Sequence, residues 1–201
     1  SSGLLRLRWN WYCPNKGFGE FHRGSLAIFC YTINNLNSEE LSRLESAIRR
    51  LRAQKIALDW AAKNIYDQPG FVLEFGLGNG RTFDHMRELF PKREIYVFER
   101  KIAAHPDCIP DPAFQFIGDF LVSIPRAIEQ LGRGAALAHV DIGTGEKNTS
   151  LALASKIAPS IEKLLCAGAI IVSDQQVDRW DSHKIPLPGG ISKNRIHLYR
   201  L

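Results

Sequence analysis

The stretch Phe71-Val-Leu-Glu-Phe-Gly-Leu-Gly-Asn-Gly-Arg81 decides the fold that this sequence predicts. Residues 71–75 form a short apolar run typical of a buried strand, and three glycines follow it before a helical segment begins. Glycine lets the backbone approach a ligand closely, because a Cβ atom would collide with it. A strand, a glycine loop and a helix in this order are typical of the ligand-binding turn in a doubly wound α/β sheet.

The rest of the chain continues the alternation that this stretch begins. Strands are predicted at 71–75, 95–98, 114–117, 136–140 and 169–172, with helices at 82–90, 121–131 and 149–165. A long amphipathic helix precedes them; Asn37 and Glu40 match a capping box at its start, and it runs to about Ile65. Strands that alternate with helices imply parallel βαβ units with right-handed crossovers.

The end of the chain has a different pattern. Residues 181–187 and 195–201 flank a Pro-Gly-Gly turn and predict an antiparallel pair, since the second segment alternates polar and apolar residues. The predicted fold class is therefore α/β, with a doubly wound, mostly parallel seven-stranded sheet that ends in an antiparallel hairpin. Residues 1–36 are predicted to be an N-terminal extension, either poorly ordered or a lid, and residues 37–201 the binding domain.

The glycine loop excludes two common nucleotide-binding motifs. Its spacing is G-x-G-x-G, whereas a dinucleotide fingerprint requires G-x-G-x-x-G, and Arg81 occupies the position of the third glycine. No G-K-[ST] follows, so it is not a P-loop. Glu74, two residues before Gly76, would repel a pyrophosphate but suits a ligand with ammonium or sulfonium charge. The loop therefore disfavours a nicotinamide-dependent oxidoreductase.

A second acidic residue ends the next predicted strand. Glu99 stands nineteen residues after Gly80, where a carboxylate can accept both hydroxyl protons of a ribose. A carboxylate for the ribose hydroxyls and a loop that tolerates a cation together predict a site for S-adenosylmethionine. The alternative is that Glu74 and Glu99 are surface charges at strand ends.

With these motifs the sequence resembles the class I, Rossmann-like methyltransferases that depend on S-adenosylmethionine. The resemblance covers about residues 38–201, including the leading helix and the terminal hairpin. Three segments are similar to a compact bacterial subgroup without an assigned substrate: the run from Gly76 to Arg81, Tyr96-Val-Phe-Glu-Arg100, and Ala104-His-Pro-Asp-Cys108.

The resemblance implies a cofactor-binding set spread over four strand ends. Its members are Glu74, Gly76, Gly78, Gly80 and Thr82, then Glu99 and Arg100, then Gly118, Asp119 and Phe120, and finally Asp141. Glu74 and the glycine loop would hold the methionine end, and Glu99 the ribose. Residues 118–120 would cover the adenine, with Asp119 accepting from its amino group, and Asp141 would face the methionine moiety or the acceptor.

Methyl transfer from a sulfonium is an in-line displacement, so the protein's main task is alignment, worth roughly 7–11 kcal/mol. A base near the cofactor could also remove a proton from the acceptor. The candidate catalytic residues are Asp141, Asp174 and His105. His139 lies within a predicted strand, where it is either a core histidine or a further base.

Two interpretations of the acidic residues stay open. Asp141, Asp174 and Gln175 resemble the divalent-cation site of catechol-type O-methyltransferases, whose hard oxygen ligands suit magnesium or calcium. Gln175 stands where that site has an asparagine, which moves the amide by one methylene. In the other interpretation the site holds no metal, Asp141 binds the cofactor and Asp174 lines the acceptor pocket.

Charge and composition limit which kinds of partner the sequence predicts. The net charge of +5 includes +3 from residues 1–36, so the predicted domain is nearly neutral and gives no argument for nucleic acid. Four separated cysteines suit a reducing compartment, and no apolar run reaches the 18 residues of a membrane span, so a cytoplasmic protein is predicted. Short predicted loops favour a small-molecule acceptor. The alternatives are a non-catalytic S-adenosylmethionine-binding protein, or a methyltransferase acting on RNA or protein.

Overall fold

The computed structural model describes residues 42–143 and 145–201. Residues 43–201 form one compact unit. The predicted extension 1–36 and the capping box at Asn37 and Glu40 lie outside the described residues. Among the described residues, no helix combines the length and the apolar character that a bilayer crossing requires.

The described residues form four α-helices and six β-strands in the predicted alternation. In chain order they are α1 (Arg43–Asn64), β1 (Phe71–Phe75), α2 (Arg81–Leu89), β2 (Ile95–Glu99), β3 (Gln115–Ile117), α3 (Phe120–Leu131), β4 (Ala135–Val140), α4 (Lys147–Leu164), β5 (Leu165–Ser173) and β6 (His197–Arg200). Short 3₁₀ helices lie at Pro106–Cys108, Pro112–Phe114 and Asp178–His183.

The strands form one sheet in the order β3-β2-β1-β4-β5-β6. The first five strands are parallel, and β6 pairs antiparallel with β5. The doubly wound α/β fold with an antiparallel end is thus confirmed. The strand order reverses between β1 and β4, and ligands of such sheets bind at the carboxyl ends of the strands beside that switch point.

The predicted seventh strand, over residues 181–187, does not form. Lys184 makes only an isolated bridge with Tyr199, and the residues before it belong to the 3₁₀ helix Asp178–His183. Ile185 still donates to the Leu198 carbonyl, at 2.9 Å. Pro186 and Pro188 follow, and because proline has no N–H they cannot extend the ladder. The described sheet therefore has six strands.

Helices cover both faces of the sheet, and one face carries polar groups in its core. Alternation along β1 and β4 points Glu74 and His139 to the face that packs against α1 and α2. They are direct partners in the β1–β4 register, and both are fully buried. Gln54 of α1 is also buried, at 1% exposure. Buried polar side chains need partners, and these three lie beneath the switch point.

Candidate functional site

A cleft of about 140 Å³ opens at the carboxyl ends of β1 and β4; we call it the loop cleft. It is lined by residues 76–79 of the glycine loop, by Arg81 and Thr82 of α2, by Asp141 and Gly143 after β4, and by Arg50, Leu51 and Gln54 of α1. Its place at the switch point is the one that the fold favours for a ligand. The cleft brings together the glycine loop and Asp141, which the sequence predicted to share a site.

The three glycines of the loop have different tasks. Gly76 has a φ of 91°, and a Cβ atom there would lie 2.0 Å from the Asp141 carbonyl oxygen. Gly80 has a φ of 82°, and its Cβ would lie 2.4 Å from Cβ of Cys108. Gly78, with a φ of 51°, has no described heavy atom within 4 Å of the Cβ position. Two glycines therefore permit close packing, and the middle one borders open space where a ligand can approach.

Glu74 lies beneath the loop cleft and is not among the residues that line it. Its Oε1 accepts a hydrogen bond from Oγ1 of Thr82 at 2.5 Å, and its Oε2 lies 2.7 Å from Nδ1 of His139. Because both oxygens are occupied by protein side chains, this geometry does not support the expected direct contact between Glu74 and a ligand. Thr82 stands between Glu74 and the cleft.

Glu99 connects the end of β2 to the glycine loop. Its Oε2 accepts from the Gly78 N–H at 3.0 Å, and its Oε1 accepts from the Arg100 N–H at 2.6 Å. The Arg100 side chain is exposed. The Glu99 carbonyl accepts from the Gly118 N–H at 3.0 Å, which places the end of β3 beside that of β2. The ends of three neighbouring strands, where the sequence predicted cofactor contacts, are thus adjacent.

The segment after β3 begins α3. Gly118 has a φ of 123°, which favours glycine, and Asp119 is the N-cap residue, with Oδ1 accepting from the Leu121 N–H at 2.8 Å. Asp119 is exposed. The ring of Phe120 packs edge-on against Phe75 with 6.3 Å between centroids, so it is anchored in the core beside the strand ends.

Asp141 is held by two side chains of α1 that the sequence analysis missed. Nε2 of Gln54 donates to Oδ2 of Asp141 at 2.6 Å, and the Arg50 guanidinium lies 3.7 Å from the same oxygen. Oε1 of Gln54 is buried with no partner among the described residues. The sequence did hold a signal: Gln54 is a polar residue among the apolar core positions of an amphipathic helix, next to Ala53 and near Ala57.

A second cleft, of about 370 Å³, lies on the other side of the segment after β4; we call it the β5 cleft. Its lining comes from the residues after β5, from the start of α4 and from the end of the chain: Asp174, Gln175, Gln176 and Asp178, then Lys147 and Leu151, and Asn194 and His197. A Cβ atom on Gly143, which lines the loop cleft, would lie 3.0 Å from Oδ2 of Asp174, which lines the β5 cleft. Residues 141–143 therefore separate the two clefts.

Asp174 is the most perturbed carboxyl group in this region. Burial, and then the charge of Asp141, raise its pKa from 3.8 to about 6, although a hydrogen bond from Gln175 and the charge of His139 oppose the rise. Its Oδ2 accepts from Nε2 of Gln175 at 2.9 Å, whereas Oδ1 is buried with no described partner. Burial and Lys184 lower the pKa of the nearby His197, which favours its neutral form at pH 7. A carboxyl group with such a pKa can exchange a proton near neutral pH.

His105 lies apart from Asp141 and Asp174 and lines neither cleft. Its backbone N–H donates to the Asn79 carbonyl at 3.4 Å, so it borders the glycine loop. Its Nδ1 accepts from the Asp107 N–H at 3.3 Å, as the cap of a 3₁₀ helix, and its side chain is 68% exposed. The structure therefore brings together only Asp141 and Asp174 of the three predicted catalytic residues.

The amide of Gln175 is occupied by its hydrogen bond to Asp174. In residues 42–143 and 145–201, no group of three or more His, Cys, Asp or Glu side chains is arranged to hold a metal ion.

The sheet order, the glycine loop at the switch point and the acidic strand ends define the class I, Rossmann-like methyltransferase fold. A family model described as S-adenosyl-L-methionine methyltransferase matches residues 41–201, and this chain belongs to that family. It is therefore an S-adenosylmethionine-dependent methyltransferase, as the sequence predicted.

One solved structure supports this assignment. A crystal structure of an S-adenosyl-L-methionine methyl transferase from Silicibacter pomeroyi DSS-3 shares 37% sequence identity, with a TM-score of 0.74 over 80% of this chain and 99% of that one. Lower similarity is found to the sugar N-methyltransferase KedS8 from Streptoalloteichus sp. ATCC 53650, with 12% identity, a TM-score of 0.44, and 83% and 60% coverage. A structure of CmcI-D160 with Mg and SAM has 15% identity, a TM-score of 0.46, and 75% and 73% coverage. No curated protein matches the chain.

Proposed function

We propose that this enzyme methylates the oxygen or nitrogen of a small molecule bound in the β5 cleft, with the methionine end of S-adenosylmethionine held in the loop cleft and its nucleoside along the ends of β2 and β3. The observation that carries the proposal is the position of Asp174. It is a half-buried carboxyl group with one buried, unpartnered oxygen, at the wall of residues 141–143 that separates the two clefts.

The described residues fit the cofactor. Asp141 offers a carboxylate to an ammonium group, and the guanidinium groups of Arg50 and Arg81 line the same cleft and suit a carboxylate. The open space at Gly78 admits a ligand beside the backbone. We assign Glu99 to the ribose hydroxyls and residues 118–120 to the adenine, while Glu74 supports the site through Thr82. The cofactor, when bound, supplies an electrophilic methyl group.

Asp174 is the proposed base for the acceptor. Asp174 lines the β5 cleft, and above a pH of about 6 its ionised carboxyl group can accept a proton from a hydroxyl or amine bound there. The β5 cleft also offers the ammonium group of Lys147 and the amides of Gln176 and Asn194 for hydrogen bonds. Its volume of about 370 Å³ is in the range of small-molecule sites, roughly 300–1,000 Å³. No cation is part of this proposal.

The test follows a labelled methyl group from S-adenosylmethionine into three substrate pools: small molecules, RNA and protein. We expect label in the small-molecule pool, with and without a chelator. Asp174→Asn should bind the cofactor normally by calorimetry but lose most of the transfer. His183→Asn, which changes an exposed histidine that lines neither cleft, is the matched control and should keep both cofactor binding and methyl transfer. Label in the RNA or protein pool, or transfer that survives Asp174→Asn, contradicts the proposal.

A further inference from the structure

Glu74 supports Thr82, but neither its contact with His139 nor His139 itself has a task in the proposed methyl transfer. Oε2 of Glu74 and Nδ1 of His139 lie 2.7 Å apart, and both side chains are 0% exposed. Thr82 binds the other oxygen of Glu74, so the carboxylate is fully engaged by protein groups. A fully buried ion pair is costly unless its charges are compensated. The position of this pair beneath both clefts therefore calls for an explanation.

His139 lies at the centre of a group of carboxylates. It precedes Asp141 by two residues on β4, so both side chains point to the same face of the sheet. Asp174 follows β5, the neighbouring strand, and its backbone N–H donates to the Val140 carbonyl at 3.0 Å. Asp141 and Asp174, like Glu74, raise the pKa of His139, and together they outweigh the lowering that burial causes. Nε2 of His139 is buried without a described partner.

The charges around His139 are otherwise mostly negative. β1 contributes Glu74, the segment after β4 contributes Asp141, and the segment after β5 contributes Asp174. The cation from α1 is Arg50, which lies 3.7 Å from Asp141 and is half exposed to solvent. The neutral groups are Gln54 of α1 and Thr82 of α2. Among the described residues, His139 is thus the buried group next to these three carboxylates that can carry a positive charge.

We propose that His139, held in the imidazolium form by Glu74, is the internal counter-charge that keeps Asp174 ionised for its task as the base. This inference rests on the proposed role of Asp174. His139 touches no ligand and is a positioning residue that acts through charge. A buried positive charge favours the ionised form of a nearby carboxyl group. Without it, the ionisable groups near Asp174 are Asp141 and Asp178, the exposed Lys147, and His197, whose neutral form is favoured.

The test is an NMR titration of the full chain, without cofactor or acceptor, using ¹³C-labelled aspartate and histidine. We expect Asp174 to titrate near pH 6 and the His139 ring to stay doubly protonated throughout the pH range of that transition. In His139→Asn, which keeps a donor towards Glu74, the midpoint of Asp174 should rise by about one pH unit. In Glu74→Gln, the His139 ring should begin to titrate within that range. His183→Asn is the control and should change neither midpoint.

The titration can overturn the proposed role of His139 in two ways. A neutral His139 ring at pH 6 in the unsubstituted chain overturns the proposal, as does an Asp174 midpoint that stays unchanged in His139→Asn. If His139→Asn does not fold, the ring in the unsubstituted chain and in Glu74→Gln still tests whether Glu74 holds His139 as a cation. Because the titration needs no turnover, its failure leaves the small-molecule proposal standing. Failure of the labelling test, in turn, leaves the measured midpoints valid.

Discussion

The loop cleft and the β5 cleft lie on opposite sides of residues 141–143 but are built by different means. The loop cleft depends largely on backbone: two glycines pack against neighbouring chain, and a third borders open space. The β5 cleft depends on side chains from three separate parts of the chain. If the two clefts hold the cofactor and the acceptor as proposed, the cofactor depends mainly on the fold of the glycine loop and the acceptor on side chains from separate segments.

The largest effect is expected from Gly76→Ala, which disturbs the backbone packing of the glycine loop. The added Cβ would lie 2.0 Å from the Asp141 carbonyl oxygen at a φ of 91°. We expect the free energy of unfolding to fall by about 3 kcal/mol, because strain and overlap both disfavour the fold, and cofactor binding to disappear. Urea unfolding and calorimetry measure the two effects.

The matched control is Gly132→Ala. Gly132 also has a positive φ, 64°, but no described heavy atom lies within 4 Å of its Cβ position. Its ψ of −158° lies in a region that almost only glycine adopts, so the variant should lose about 1–3 kcal/mol from backbone strain but bind the cofactor normally. Equal losses of cofactor affinity in both variants would mean that the close approach at Gly76 has no special importance.

The next prediction separates the two clefts by their carboxylates. Asp141→Asn removes the charge that faces the loop cleft, and we expect cofactor affinity to fall about 30-fold, as loss of a charge-assisted hydrogen bond predicts. Asp174→Asn should leave this affinity within about twofold, while methyl transfer falls about 100-fold for lack of a base. Calorimetry and a single-turnover assay give the two numbers. If both variants lose affinity equally, the clefts are not functionally distinct.

The third prediction concerns the free energy of unfolding that is lost because Asp174 is ionised in a partly buried position. Its pKa is raised to about 6 in the folded state, so the folded state holds this proton more tightly than the unfolded chain. The stability from this group is present at pH 4 and is lost as the pH rises through about 6. Asp174→Asn should therefore be more stable than the unsubstituted chain by about 2 kcal/mol at pH 7.5, with no gain at pH 4. Urea unfolding at both pH values checks the sign.

The sequence predicted the fold well because local patterns determine it. The apolar run 71–75, the glycines after it and the alternating helices gave the doubly wound sheet, and the family model later agreed. The predicted strand over residues 181–187 was wrong. Pro186 and Pro188 have no N–H group to donate to a neighbouring strand, and this segment forms a single bridge. A pattern of alternating residues does not show which N–H groups find a partner.

The site was harder to predict, because its details depend on contacts between distant segments. Asp141 and Asp174 could be predicted because each directly follows an apolar run that the sequence marks as a strand. That Glu74 faces His139 instead of the cleft follows from the β1–β4 register, which no local pattern contains. The contact of Gln54 with Asp141 joins residues 87 positions apart. Sequence patterns therefore located the strand ends but not the side chains that support them.

The smallest effect is expected from Gln54→Leu, which tests how far α1 contributes to the loop cleft. Leucine has a similar volume, and it removes both the donor to Asp141 and the unpartnered Oε1. Because one hydrogen bond and one buried unpartnered group disappear together, stability should change by less than about 1 kcal/mol. Asp141 would keep only Arg50, at 3.7 Å, so its position becomes less defined and cofactor affinity should fall about fivefold. Calorimetry measures the affinity. The backbone N–H of Asp141 donates to the Phe75 carbonyl at 2.9 Å. An unchanged affinity would show that this backbone contact, and not α1, positions Asp141.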